Sequence, residues 1–320
     1  MSGSRLALRV LAAGAAGVTA AGTARLAYAA AVRRPPGGQK AWTRTNHRGE
    51  PVTLLEGPAV AAGAIAGVLA QSVLDRALAG PASGRAIAAL AAGGAGAAAF
   101  GVYDDLAGSG DRRGFRGHLG ALRHGEVTTG AVKLGGIGAA GLVSAVLAGG
   151  SPADLMVNAG LVAGGANLLN LFDLRPGRAI KVAAVSGALL GAAGLQSVAA
   201  PLGAALALLP EDLGERAMLG DAGANALGAM LGAAAAGLPR PGRIALLAGI
   251  AGLTAASEKV SFTKVIERTP ALHWLDMLGR RPAPPPAVTI PAQRGAADRT
   301  GADNPARSAQ KTDPPPPPDL

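Results

Sequence analysis

Long runs of alanine, glycine, leucine and valine, broken by short clusters of charge, recur along the chain to about position 262. An apolar run of roughly 17–25 residues is long enough to cross the hydrocarbon core of a bilayer as a helix. Inside lipid the backbone amides find no water, so a single crossing segment has to satisfy its own hydrogen bonds, and an α-helix does so. The runs fall near 8–32, 58–79, 85–102, 128–149, 153–171, 179–197, 199–209, 218–238 and 243–262; the seventh is short and is bracketed by Pro201 and Pro210. This pattern predicts an all-α, polytopic transmembrane helix bundle over residues 1–281, with about nine helices in a range of roughly 8–11.

Composition agrees. Of 320 residues, 16% are charged and 49% hydrophobic, and the mean hydropathy is +0.32, a membrane balance and not that of a water-soluble domain. Aromatic residues make up 2%, too few for interfacial Trp and Tyr belts, whereas 49 glycines let helix backbones approach closely. The absence of cysteine excludes disulfides, thiolate metal ligands and a cysteine nucleophile. The four histidines, His47, His118, His124 and His273, form no His-x-x-x-His pair, which argues against zinc. The net charge of +10 is spread over several inter-helix segments with no aromatic interleaving, so a nucleic-acid polymer is not an expected partner. Leu6 to Val32, preceded by Arg5, exceeds a signal-peptide core in length and is followed by further spans, so it reads as the first transmembrane helix. Richness in Ala, Gly and Arg is expected of a bacterial chain from a high-GC genome.

The connecting segments alternate in charge. Arg33, Arg34, Lys40, Arg44 and Arg48 follow the first run, Arg112, Arg113, Arg116 and Arg123 the third, and Arg175, Arg178 and Lys181 the fifth; Arg216 follows the seventh, and Lys259, Lys264, Arg268, Arg280 and Arg281 cluster around the end of the ninth. The intervening segments carry only Arg85, Arg240 and Arg243. The positive-inside rule then predicts a multi-pass plasma-membrane protein with its N-terminus outside and the charged connections in the cytoplasm, although Arg5 and Arg9 point weakly the other way. From Pro282 the chain turns to Pro, Ala, Arg and Asp and ends in Pro314 to Pro318. Residues 282–320 are expected to form a disordered, Pro-rich cytoplasmic tail.

Four polar segments fall on the predicted cytoplasmic face. Asp104 and Asp105 are adjacent carboxylates at the end of the third run, which repel each other unless a cation neutralises them; a divalent metal with a diphosphate substrate would do so, and a hydrated loop start is the alternative. Asn167, Asn170 and Asp173 recur every third position and so share one helix face, either as a polar site or as glue between helices. In Gly220-Asp221-Ala222-Gly223 an acid lies between glycines at a helix start, suited to close substrate approach or to simple N-capping. Arg44 to Thr53, with Asn46 and His47, and then Glu56-Gly57, precede the second run as a ligand-contacting or plain juxtamembrane segment.

Taken in order from about Arg44 to about Gly279, these segments resemble the polyprenyl-phosphate N-acetylhexosamine-1-phosphate transferases, glycosyltransferase family 4. Asp104 and Asp105 look like the family's paired aspartates, Asn167, Asn170 and Asp173 like its Asn-x-x-Asn-x-x-Asp segment, and Gly220 to Gly223 like its Gly-Asp-x-Gly loop. The resemblance implies transfer of a sugar-1-phosphate from a UDP-sugar to a polyprenyl (undecaprenyl) phosphate, with Mg²⁺ (or Mn²⁺) and release of UMP, at a cytoplasmic active site serving cell-wall biogenesis. It implies that Asp221 binds the metal and that Asp104, Asp105 and Asp173 are catalytic, one of the pair being the base for the lipid phosphate. Asn46, Asn167, Asn170, Lys133, Arg116, His118 and Arg175 would contact substrate, with a homodimer left open. Gly108 stands where one branch of the family has a lysine, so the implied phosphate-binding cation is Lys133 or Arg116. That branch's histidine-rich loop is reduced to His273. The competing reading is a catalytically silent relative that binds prenyl lipid or acts as a scaffold.

Overall fold

The computed structural model describes residues 3–78, 84–107 and 128–282. Each apolar run is occupied by a helix: α1 Gly3–Arg33, α2 Glu56–Leu78, α3 Gly84–Ala107, α4 Thr129–Ala148, α5 Pro152–Phe172, α6 Arg178–Ala192, α7 Ala199–Leu213, α8 Gly220–Ala235 and α9 Arg240–Ser257. Two short helices follow, α10 Phe262–Arg268 and α11 Pro270–Met277. The Pro-rich tail expected from Pro282 onward lies, beyond Pro282 itself, outside the described residues, as do Arg116 and His118.

Five helices, α1 to α5, are long and apolar enough to cross a bilayer, and a sixth counts if α9 and α10, which meet at a 95° bend, form one broken span. α6, α7 and α8 hold 15, 15 and 16 residues. At 1.5 Å per residue they rise only about 22–24 Å, short of the roughly 30 Å hydrocarbon core. The described chain is therefore nearly all-α with five to six candidate spans, and the expected count of about nine is not reached by length and apolarity alone.

Local chemistry sets the helix ends. Ser151 and Asp154 form a reciprocal capping box at the start of α5, with Pro152 in the first turn. The Thr128 hydroxyl accepts the Ala131 N–H at the start of α4. Helix α7 runs past Pro210 to Leu213, one turn beyond the apolar run, because a proline near a helix end removes few intrahelical bonds.

Helix α8 is the core of the bundle. All of its residues from Ala222 to Ala235 are buried, and it packs mainly on α5 and α3, with α2 and α6 beside them. A helix enclosed on every side needs no polar face, which fits its Ala and Gly content. Gly228 and Gly232, four apart, face α5: a Cβ on Gly228 would run into the Gly165 carbonyl, and one on Gly232 into the Leu161 carbonyl. This is the close backbone crossing that small residues permit. Helices α1, α2 and α7 pack on one another, and α9 lies outside α5 with Ile250 as its one buried residue.

One departure from helix stands out. Thr43–Thr45 and Pro51–Thr53 pair as an antiparallel hairpin, Arg44 opposite Val52, in the segment read from sequence as a juxtamembrane loop. Asn46 closes its turn by accepting the Arg48 and Glu50 N–H groups, and Gly49 (φ 82) supplies the left-handed residue. The hairpin joins the α7–α8 connection through Thr53 and Met218. Beneath it Trp42 packs on Leu54 and Leu55, its indole N–H on the Pro36 carbonyl.

Candidate active site

Helix α8 starts at the Gly220 turn (φ 59), and its first N–H groups lack intrahelical partners, as at any helix start. Two of the carboxylates singled out from the sequence meet them. Asp105, in the last turn of α3, accepts the Asp221 N–H on one oxygen and the Ala222 N–H on the other, both at 3.0 Å. Asp173, at the C-terminal end of α5, accepts the Gly220 N–H. The approach of α3 requires Gly101, whose Cβ would lie 2.5 Å from the Asp221 carbonyl oxygen. The Arg44 guanidinium, carried by the hairpin, donates to the Asp105 carbonyl. Asp105 thus acts as an N-cap for a helix from a different part of the chain, the role that Asp221 would take if the loop were a simple cap.

Asp104 turns instead toward α4. Lys133 Nζ lies 3.0 Å from Asp104 Oδ2 and donates to Asp221 Oδ2 at 2.5 Å, so one ammonium bridges two carboxylates from α3 and α8. The three side chains are 16–20% exposed, so water and solutes reach the cluster. Lys133 also lines a groove of about 630 Å³ between α4, α5 and α9, together with Asn167 and Asn170. Leu134, Leu171, Leu247 and Ile250 make its walls largely apolar, and Ser257 and Glu258 add polar groups.

The remaining candidates gather elsewhere. Asn46, His47, Asp173 and Arg175 line a smaller cleft of about 180 Å³ bounded by the hairpin, the α5–α6 turn and the α7–α8 connection, with Asp212 and Glu215 in its wall. Burial, followed by the charges of Asp212, Asp221 and Asp105, pushes the Asp173 carboxyl well above its ordinary range. Burial also lowers the His47 imidazole, against the pull of Glu215. The Asn46 side-chain amide donates to Glu215 at 2.9 Å, so this residue serves the hairpin turn and its docking as well as the cleft. Arg178, one of the charges in the connection after the fifth run, is committed to a buried latch. It forms a two-pronged contact with Asp276 at 2.7 and 3.0 Å, and Arg280 reaches the same carboxylate at 2.7 Å.

Asp212, Glu215 and Asp276 carried no signal in the sequence, since each gains its role from a partner far away in the chain. Glu215 is recognisable only in the fold, as a buried non-glycine residue at φ 56 facing Arg48.

Among the described residues no three Asp, Glu or His side chains form a complete metal-ligand group. Mg²⁺, however, is commonly held by one or two carboxylates, with water and substrate phosphates completing its shell. Asp104 and Asp221 converge on a single cation, the Lys133 ammonium, and so fit such an ion in number and charge. No protein-family model matches the chain and no curated protein is significantly similar to it, so the chemistry of this site rests on its own geometry.

Proposed function

We propose that this chain is an integral membrane glycosyl-1-phosphate transferase, moving a sugar-1-phosphate from a UDP-sugar to a polyprenyl phosphate with release of UMP, in cell-envelope glycan synthesis. The observation that carries this reading is the Asp104–Lys133–Asp221 cluster, whose Lys133 also lines a groove with largely apolar walls. Such a groove suits an amphiphile, its chain against Leu134, Leu171, Leu247 and Ile250 and its phosphate near Lys133. Asn167 and Asn170, on the same wall, offer hydrogen bonds to a polar donor.

In the reaction, an oxygen of the lipid phosphate attacks the sugar-bearing phosphorus of the donor. A new P–O–P bond forms as the bond to the uridylyl phosphate breaks, and UMP leaves with the electron pair. Between anions, catalysis depends mainly on positioning and charge screening. Lys133 supplies a cation in the wall of the groove. Asp104 is the member of the pair left to face substrate, because both oxygens of Asp105 are engaged by α8 amides. Bound Mg²⁺, held by Asp104 and Asp221, would stabilise the charge that develops on the diphosphate. Asp105 and Asp173 fix the start of α8 and so the direction in which Asp221 points.

The finer topology belongs to the same proposal: nine crossings, the N-terminus outside, and the cluster on the cytoplasmic side. It draws support from contacts that join the ends of α3, α5 and α8, together with the hairpin, where the charged connections converge. The test is incubation of purified protein with undecaprenyl phosphate, Mg²⁺ and a panel of UDP-sugars. UMP release with one donor supports the transferase, and none with any donor removes it.

A second reading, the silent lipid-binding or scaffold relative, is favoured by one specific observation. Lys133 already neutralises Asp104 and Asp221, as a residue would in a site that no longer takes a metal. Binding of undecaprenyl phosphate without turnover is its signature.

A further inference from the structure

Lys133 holds the position that a metal ion would need. Its Nζ is 2.5 Å from Asp221 Oδ2 and 3.0 Å from Asp104 Oδ2, close enough that a divalent cation on the same two oxygens would displace it. Removing either carboxylate's partner without replacement would leave two partly buried negative charges unscreened. A displaced ammonium, equally, needs another anion. The groove it lines holds the neutral Asn167 and Asn170 and one carboxylate, Glu258, and a phosphate entering that groove would offer the ammonium a further anion.

We infer that Lys133 is a built-in competitor of the divalent metal: it occupies the Asp104–Asp221 pair until a diphosphate ligand enters the groove, takes up the ammonium and leaves the two carboxylates to the ion. Metal and nucleoside diphosphate then strengthen each other's binding through one side chain that changes partners. Each favours the same arrangement of Lys133, and linkage makes the effect reciprocal. The benefit is chemical as well as regulatory, because the ion is retained only when a phosphate is present to be activated. The inference rests on the metal-dependent reading for its ligands, and its core is the geometry of three side chains.

The test is direct binding of Mn²⁺, read by electron paramagnetic resonance on the purified full-length protein, with and without UDP. Wild type is expected to bind Mn²⁺ weakly alone and at least about tenfold more tightly with UDP, within the usual range of coupling between sites. Lys133→Met is expected to bind Mn²⁺ at least about tenfold more tightly than wild type without UDP, with most of the UDP effect gone. Lys133→Arg, which keeps a cation, should stay close to wild type. If Lys133→Met is poorly stable, the same competition appears as a larger rise in its unfolding temperature on adding Mn²⁺ than wild type shows. Unchanged or weaker Mn²⁺ binding by Lys133→Met without UDP, or no extra stabilisation, overturns the inference. The assay for UMP is separate. Absence of turnover with every donor would remove the transferase, while the Mn²⁺ affinities of wild type and variant would still decide the role of Lys133.

Discussion

The two adjacent aspartates look alike in sequence and differ in the fold by the direction each side chain takes from the last turn of α3. Asp105 is spent on two backbone amides of α8, and Asp104 on Lys133. Loss of a carboxylate that caps a helix with two charge-assisted bonds costs about 2 kcal/mol. Asp105→Ala should therefore lower thermal stability in detergent by about that amount, and Asp104→Ala by clearly less, since Lys133 keeps Asp221. Equal losses would mean that α8 does not depend on its distant cap. A second residue-scale prediction concerns Asp276. Burial alone would raise its carboxyl, but the hydrogen bonds and charge of Arg178, with Arg280 and Lys181, bring it below the ordinary range. A carboxylate depressed in the folded state adds stability that is complete above its unfolded value, about 3.9, and is lost as pH falls through the lower folded value. The latch should hold at neutral pH and release α11 only in strong acid. Hydrogen exchange over Pro270–Met277 should accelerate in Asp276→Asn at pH 7, and an unaltered rate would show that Arg178 and Arg280 do not hold this segment through Asp276.

Among the elements, α8 decides whether the bundle closes. Gly228 lies against the Gly165 carbonyl, whereas Gly249, on α9, has nothing within 4 Å of where a Cβ would stand. Gly228→Val should destabilise the protein by about 3 kcal/mol or prevent its purification, as overpacking does in a tight core, while Gly249→Val should be close to neutral. Similar behaviour of the two would refute the close crossing. Helices of this kind were legible in the sequence because each apolar run exceeds what a loop can expose, and every run carries a helix. Their number as membrane crossings was less so. The helices α6, α7 and α8 hold only 15 or 16 residues, and burial in protein, which encloses α8 from Ala222 to Ala235, looks the same as burial in lipid to a residue count. The hairpin at Thr43–Thr53 was not legible either, since its strands are three residues each and draw their order from Arg216 and Met218. For the site, residue types at fixed spacing brought out Asp104, Asn167, Asn170 and Asp221, and the resemblance offered Lys133 as one of two cations; the fold brings these five to one groove and cluster. Spacing could not separate Asp105 and Asp173 as supports of α8, because a cap supplied by another helix leaves no local pattern.

For the molecule as a whole, the test of orientation is chemical labelling, which is clean in a chain with no native cysteine. Ser197→Cys, between α6 and α7, should react with a membrane-impermeant maleimide on intact cells, and Thr45→Cys, in the hairpin, only after the membrane is opened. The reverse pattern would invert the proposed topology. The same sparseness of chemistry has an optical consequence. The chain has two tryptophans, and they occupy opposite surroundings: Trp42 is 5% exposed under the hairpin and Trp274, on α11, is 67% exposed. With Trp274→Phe, ultraviolet emission would come from a single indole seated beneath the strand that carries Arg44 to Asp105. Its wavelength and its quenching would then follow, in real time and without an added dye, whether that strand stays docked.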